Sequence, residues 1–211
     1  MPAVTPDAGV ELLERALGYT RGVLLHVRPE HLHRPTPCAA WSLDQLLDHM
    51  DDSLDAFTEG AAGAVAVAPP ARALEVRVAT LLSRACGLLG AWSAPGVPGV
   101  VDVGGIPVPT AVVVRAAALE IATHGWDVAQ ATGRRTPVLA DLAHELLAVA
   151  LVLVDEDDRD LRFARARPLP PYAGPAERLL AHLGRDPQPH DLTGPVPLDS
   201  ANRRTRERPA S

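Results

Sequence analysis

Lysine is absent from this chain: all 20 of its basic residues are arginine. That excludes Schiff-base chemistry on a lysine and a phosphate loop of the P-loop type, both of which need the ε-amine. With Ala, Val, Pro and Gly abundant, the bias reads as that of a GC-rich genome rather than a physical requirement. Cysteine is scarce as well. Cys38 and Cys86 are too few for a disulfide scaffold and do not form a CxxC, so both are expected to be reduced small hydrophobes. There is no basic excess either, and a net charge of −6 argues against phosphate neutralisation and hence against nucleic-acid binding. No apolar run reaches the ~18 residues of a membrane span, and the first residues, MPAVTPDAGVELLERAL, lack a basic region followed by an apolar one. These absences lead to the expectation of a cytoplasmic protein that touches neither nucleic acid nor membrane.

What is present is the material of one ordinary domain: 211 residues, 47% hydrophobic and 22% charged. Thr5-Pro6 supplies a cap and a first helical residue, and Leu12, Leu13, Ala16, Leu17, Thr20, Val23 and Leu24 follow at helical spacing, predicting a helix from Pro6 to His26. Three prolines make RPEHLHRPTPCAAW a loop. Ser42 then opens a second helix, with Gln45 completing a capping box. Its apolar face is Leu43, Leu46, Leu47, Met50, Leu54 and Phe57; Asp44, Asp48, Asp51, Asp52, Asp55 and Glu59 lie opposite and read as a solvated row. His49 sits on the flank between them, free to face a neighbouring helix.

The Ala/Gly/Val stretch from Gly60 to Pro70 reads as a frayed end and linker, followed by a third helix from Ala71 to Trp92. The Pro/Gly-rich SAPGVPGVVDVGGIPVPT is a crossover in which Val100 to Val103 is expected to be extended, as an arm of an irregular hairpin. A fourth helix runs from Thr110 to a cap at Gly133, a fifth starts at Thr136-Pro137 and ends at Leu153, and a short one spans Pro175 to Leu183. The prediction is all-α: an up-and-down four-helix bundle with an extra helix and a Pro/Gly-rich crossover over residues 1–187, and a flexible, solvated tail over 188–211. The expected state is a monomer or homodimer.

The fourth helix, TAVVVRAAALEIATHGWDVAQATG, carries the chemistry. Val113, Ala116, Ala117, Glu120, His124, Asp127 and Ala131 fall on one stripe, which should be interior. A buried carboxylate needs a partner, because leaving it unpaired costs several kcal/mol. Glu120 and His124, four apart, share a face, and spacing alone leaves two readings. The commoner is an internal hydrogen-bonded or salt-bridged pair; the other is two ligands of a three-ligand metal site with an open position. Asp127 is the candidate catalytic residue behind them, an acceptor or water-positioning group, with the alternative that it is a helix-surface aspartate near Arg134. Cys38 is read as a buried structural thiol, and Trp41 as packing the start of the second helix. His31, His33, His144, His182 and His190 find no matching partner in the sequence.

Two motifs narrow these readings. PTPCAAWSLDQLLDHM, with its Thr-Pro-Cys entry, tryptophan and Leu-Leu-x-His, resembles the opening signature of the mycothiol-dependent maleylpyruvate isomerase N-terminal domain, within the DinB-like metal-binding helical bundles. LEIATHGWDVAQATG resembles the second signature of that family, a Glu and a His four apart followed by Gly-Trp-Asp and Ala-Thr-Gly. PLPPYAGPAERLLAHLGRDP resembles the close of its short actinobacterial members, so that the likeness spans residues 7 to 187. The resemblance implies a DinB-like bundle holding a divalent metal, zinc by preference, on His49, Glu120 and His124. It further implies activation of mycothiol or a similar low-molecular-weight thiol for transfer to, or isomerisation of, a small electrophile. The isomerases carry an additional C-terminal α/β domain, and the residues after the fifth helix do not look like one. The alternative on the same fold is a non-catalytic metal- or ligand-binding bundle.

Overall fold

The computed structural model describes residues 6–38, 41–62, 74–159 and 162–187. It is mostly helical, with one two-stranded sheet: α1 (Pro6–Leu24), α2 (Leu43–Ala62), α3 (Leu74–Trp92), β1 (Val100–Val103), β2 (Ile106–Pro109), α4 (Thr110–Ala131), α5 (Ala140–Leu153) and α6 (Pro175–His182). The expected Thr5 cap, the Gly60–Pro70 linker beyond Ala62, the Ala71 start of the third helix, His190 and the tail over 188–211 lie outside the described residues.

α4 is the axis of the molecule. From Ile121 to Ala131 every residue is buried, as expected of a helix that is apolar all round and surrounded by others. α1 lies along it, α2 and α5 pack on it, and α3 closes against α2 and α1. The approach of α1 and α4 is close because Gly125 offers no side chain: a Cβ there would sit 3.1 Å from Thr20 Cβ and nearer still to its hydroxyl. That hydroxyl donates to the Ile121 carbonyl at 2.9 Å, tying the two helices mid-length. The core is built on Leu12, Leu13, Leu43, Leu46, Leu47, Leu81, Leu88 and Leu146, all with under 2–3% of their surface exposed. Each such leucine contributes about 1.5–3 kcal/mol.

Local signals act where the sequence places them. The Ser42 hydroxyl accepts from the Gln45 N–H while Gln45 Oε1 accepts from the Ser42 N–H at 3.0 Å, a closed capping box at the start of α2. The crossover forms an antiparallel hairpin, with Val100 opposite Pro109 and Val103 opposite Ile106. Its two-residue turn is Gly104-Gly105, both at positive φ, as the tight turns that match strand twist require. Among the described residues no helix is long and apolar enough to cross a membrane.

Three expectations need correction. α1 stops at Leu24 rather than His26, with the His26 imidazole bonded back to the Gly22 carbonyl at 2.8 Å. α5 begins at Ala140, not at Thr136-Pro137, because Arg135 turns through φ +49° and the Thr136 carbonyl accepts from Tyr19 Oη at 2.9 Å. The acidic row of α2 is not simply solvated. Arg77 of α3 reaches Asp44 and Asp48, and Arg84 reaches Asp51 at 2.6 Å and Asp55 at 3.0 Å, so the row is the polar seam on which α3 lies.

Candidate metal centre

The site begins with two neighbouring helices. α2 turns its Leu face inward, which leaves His49 on the flank facing α4; α4, buried on all sides, brings Glu120 and His124 to the same place one turn apart. The three residues predicted from the sequence meet. Glu120 Oε1 lies 2.8 Å from His49 Nε2 and 3.0 Å from His124 Nε2, and the two imidazoles stand edge to face with centroids 5.0 Å apart. One donor atom from each residue lies within 4.8 Å of the other two. His124 is buried, whereas Glu120 and His49 keep 29% and 35% of their side-chain surface open. The open side faces a cleft of about 770 Å³.

Behind His124 the arrangement is closed. Its Nδ1–H donates to Asp127 Oδ2 at 3.0 Å, which fixes the tautomer and leaves Nε2 turned toward Glu120. Asp127 has no exposed surface, and Arg185 caps it with Nη2 on Oδ2 at 2.9 Å and Nε on Oδ1 at 3.3 Å. Arg185 arrives from the turn after α6 and is itself buried. The helix-surface alternative for Asp127 near Arg134 is therefore wrong: its cation is Arg185, 58 residues away, and Arg134 is exposed. Nor does Asp127 line the cleft; its partners are His124 and Arg185.

The electrostatics follow from this packing. Burial alone would raise the Glu120 carboxyl, but the charge and hydrogen bond of His124, with the hydrogen bond of His49, hold it well below the usual carboxylate range. Burial opposes charge on His124, yet the Glu120 carboxylate and the Asp127 hydrogen bond raise it to about 9. Against its own burial, Asp127 is kept below its ordinary value, first by Arg185 and then by His124.

Can these residues hold a divalent ion? Two imidazoles and one carboxylate are a familiar donor set for zinc, and His124 carries the carboxylate partner on its second nitrogen that ligating histidines usually have. Donors on a tetrahedral ion with bonds of ~2.1 Å stand ~3.4 Å apart. The observed 2.8 and 3.0 Å are hydrogen-bond separations, so an ion would replace the two shared protons and spread the donors slightly. The residues fit.

Sequence reasoning missed several walls of the site. Trp41 does more than pack the start of α2: its ring lies on His49 with centroids 4.7 Å apart, and it lines the cleft. Cys38 is half-buried rather than buried, and also lines the cleft. Its thiol belongs to a second close group with His124 and Asp127, and burial, then the Asp127 charge, push it up to about 11. Raised in this way, the thiol stays protonated near neutral pH in the metal-free protein. Arg185 was foreshadowed only by the demand of an interior aspartate for a cation. Of the remaining histidines, His182 bonds the Ala150 carbonyl at 3.2 Å and His31 accepts from the Arg28 N–H at 3.2 Å; both are structural.

Fold and site together define a helical protein with a His-Glu-His cluster at the floor of a small-molecule-sized cleft. The chain is 33% identical over 177 residues to the uncharacterized proteins MT0763 and Rv0738 of two Mycobacterium tuberculosis strains, a match spanning 82% of this chain and 94% of each relative. It belongs to the family of those proteins. No protein-family model and no solved structure matches it.

Proposed function

We propose that this chain is a DinB-like, up-and-down metal-binding bundle, akin to the mycothiol-dependent maleylpyruvate isomerase N-terminal domain. Its role in this reading is to activate mycothiol or a similar low-molecular-weight thiol for transfer to, or isomerisation of, a small electrophile. The observation that carries the reading is the convergence of His49, Glu120 and His124, from two helices 71 residues apart, at the open floor of a cleft. Four long helices with a hairpin crossover between the third and fourth support the bundle part of this reading.

His49, Glu120 and His124 would hold the ion. When bound, a divalent cation such as zinc lowers the pKa of a coordinated thiol or water. Glu120 is the one anionic donor, so the loaded cluster keeps a net positive charge that favours a thiolate over a thiol. Asp127 keeps the His124 proton on Nδ1, and Arg185 pairs with Asp127 and offsets part of its buried charge. Trp41 and Phe57 form apolar wall around the cluster, and the volume is of the size that takes a small metabolite.

The test is incubation of untagged, zinc-loaded full chain with mycothiol and a panel of small electrophiles, following loss of free thiol. The wild type should consume thiol above the uncatalysed rate and Glu120→Gln should not. Wild-type protein that binds zinc but consumes no thiol would leave the non-catalytic metal- or ligand-binding reading. The hydrogen-bond lengths within the cluster favour one further reading, a purely structural triad, in which removal of metal leaves thermal stability unchanged.

A further inference from the structure

The two imidazoles of the cluster are held in unequal ways. His124 is fixed from behind: its Nδ1–H donates to Asp127 at 3.0 Å, and Arg185 in turn holds Asp127. His49 has no such support. Its two hydrogen bonds both run through Nε2, to Glu120 Oε1 at 2.8 Å and to Ser53 Oγ at 3.5 Å, and none among the described residues reaches its Nδ1. Nε2 is the nitrogen turned to Glu120 and hence the one offered to an ion, so loading the cluster gives up both bonds. A ligating histidine ordinarily has its other nitrogen tied to a carboxylate or a carbonyl, which fixes the orientation of the ring. The His49 ring needs its support from elsewhere.

Trp41 is placed to give it. Its ring centroid lies 4.7 Å from that of His49, with the planes tilted by 52°, and 6.4 Å from that of His124. Aromatic rings at such separations attract beyond the area they bury. An apolar residue just before a helix cap usually packs on the fourth helical residue, here Leu46; the Trp41 ring reaches on to His49, a turn further along α2. The backbone of Trp41 is fixed without help from the cluster. Its carbonyl accepts from the Thr36 N–H and from Thr36 Oγ1, both at 3.0 Å, and its N–H donates to the Cys38 carbonyl at 3.2 Å. A bridge between Pro35 and Ser42 closes the same loop. We propose that Trp41 is the positioning residue for His49, its ring keeping the imidazole turned into the cluster once the Nε2 hydrogen bonds are given up. This rests on the metal reading above and goes beyond it, assigning to Trp41 the support for His49 that Asp127 gives to His124.

The experiment titrates Zn²⁺ by calorimetry into untagged, EDTA-stripped full chain as wild type, Trp41→Phe and Trp41→Leu, with thermal melting in EDTA as the control for folding. Trp41→Leu should lose about three- to tenfold in zinc affinity, the worth of one aromatic pair, while Trp41→Phe stays within about twofold of wild type. With Co²⁺ in place of Zn²⁺, the d–d bands of Trp41→Phe should match those of wild type and those of Trp41→Leu should shift or broaden, a change that a general loss of stability does not produce. In zinc-loaded wild type, NOEs between the Trp41 and His49 rings should persist, a readout that needs no variant to fold. Equal zinc affinity in wild type and Trp41→Leu, equal losses in the Phe and Leu variants, or absence of those NOEs from the loaded wild type would overturn the inference and leave the ion's site standing. No saturable binding to wild type would remove the metal reading and this inference with it.

Discussion

Arg185→Met removes the cation that caps Asp127 while keeping most of the side chain's length and packing. In the native protein Asp127 has no exposed surface, Arg185 is 8% exposed, and two hydrogen bonds of 2.9 and 3.3 Å join them. The substitution leaves a fully buried carboxylate with His124 Nδ1 as its remaining partner. Breaking a buried pair from one side typically costs about 3–5 kcal/mol, and at this chain length each kcal/mol corresponds to about 2–4 °C, so the melting temperature should fall by roughly 6–20 °C near neutral pH. Neutralising both ends in Asp127→Asn/Arg185→Met should cost less than Arg185→Met alone, because no charge is left stranded. The pH dependence has a definite sign. Asp127 is held below its ordinary value when folded, so its contribution is present above the unfolded value and is lost as pH falls through the folded one. The gap between wild type and Arg185→Met should therefore be full at neutral pH and close below about pH 4. Because Asp127 orients His124, zinc affinity should also fall, by about 10–100-fold. Thermal unfolding across pH measures all of this except the last. A variant melting within about 2 °C of wild type, or a gap that widens in acid, would refute the role given to Arg185.

Zinc affinity should itself depend on pH. With His124 raised to about 9 in the metal-free protein, binding must displace a proton, so affinity should climb about tenfold per pH unit from 6 toward 9 and then level off. Calorimetry in buffers of different ionisation enthalpy counts the proton released. By the same shift, the metal-free protein holds the full stabilisation of its imidazolium below about pH 6.5 and loses it as pH rises through about 9, which denaturant unfolding with EDTA would show. Gly125→Ala should destabilise by about 1–3 kcal/mol, since the new Cβ would press on Thr20 where α1 meets α4; a melting temperature equal to wild type would mean the two helices can part at no cost. Arg77→Met should cost about 1 kcal/mol or less despite two ion pairs, because Asp44 and Asp48 are 44% and 42% exposed and water replaces the lost partner.

The helices were legible because their signals are local: leucine spacing in α2, the Ser42/Gln45 box, Gly133 closing α4 at φ +77°. Glu120 and His124 were legible for the same reason, being one turn apart on a single helix. His49 could be placed only as a flank residue; that it meets them depends on how α2 leans on α4, which no local pattern encodes. Long-range partners were read least well. The acidic row of α2 reads locally as a solvated face, although Arg77 and Arg84 on α3 repeat at the seven-residue interval that separates Asp44 from Asp51 and Asp48 from Asp55. Arg185 was out of reach because its role exists only once the chain after α6 folds back on Asp127. The Thr136-Pro137 start failed for a tertiary reason too, since the Tyr19 hydroxyl takes the Thr136 carbonyl and α5 begins only after the turn.

The central claim is that three side chains from two helices hold one ion. Calorimetric titration of Zn²⁺ into untagged, EDTA-stripped full chain tests it most directly, with His49→Ala, Glu120→Gln and His124→Ala beside the wild type. One saturable ion per wild-type chain, greatly weakened in each variant, is the predicted result. No saturable binding to the wild type, or a full equivalent retained by His124→Ala, would contradict it.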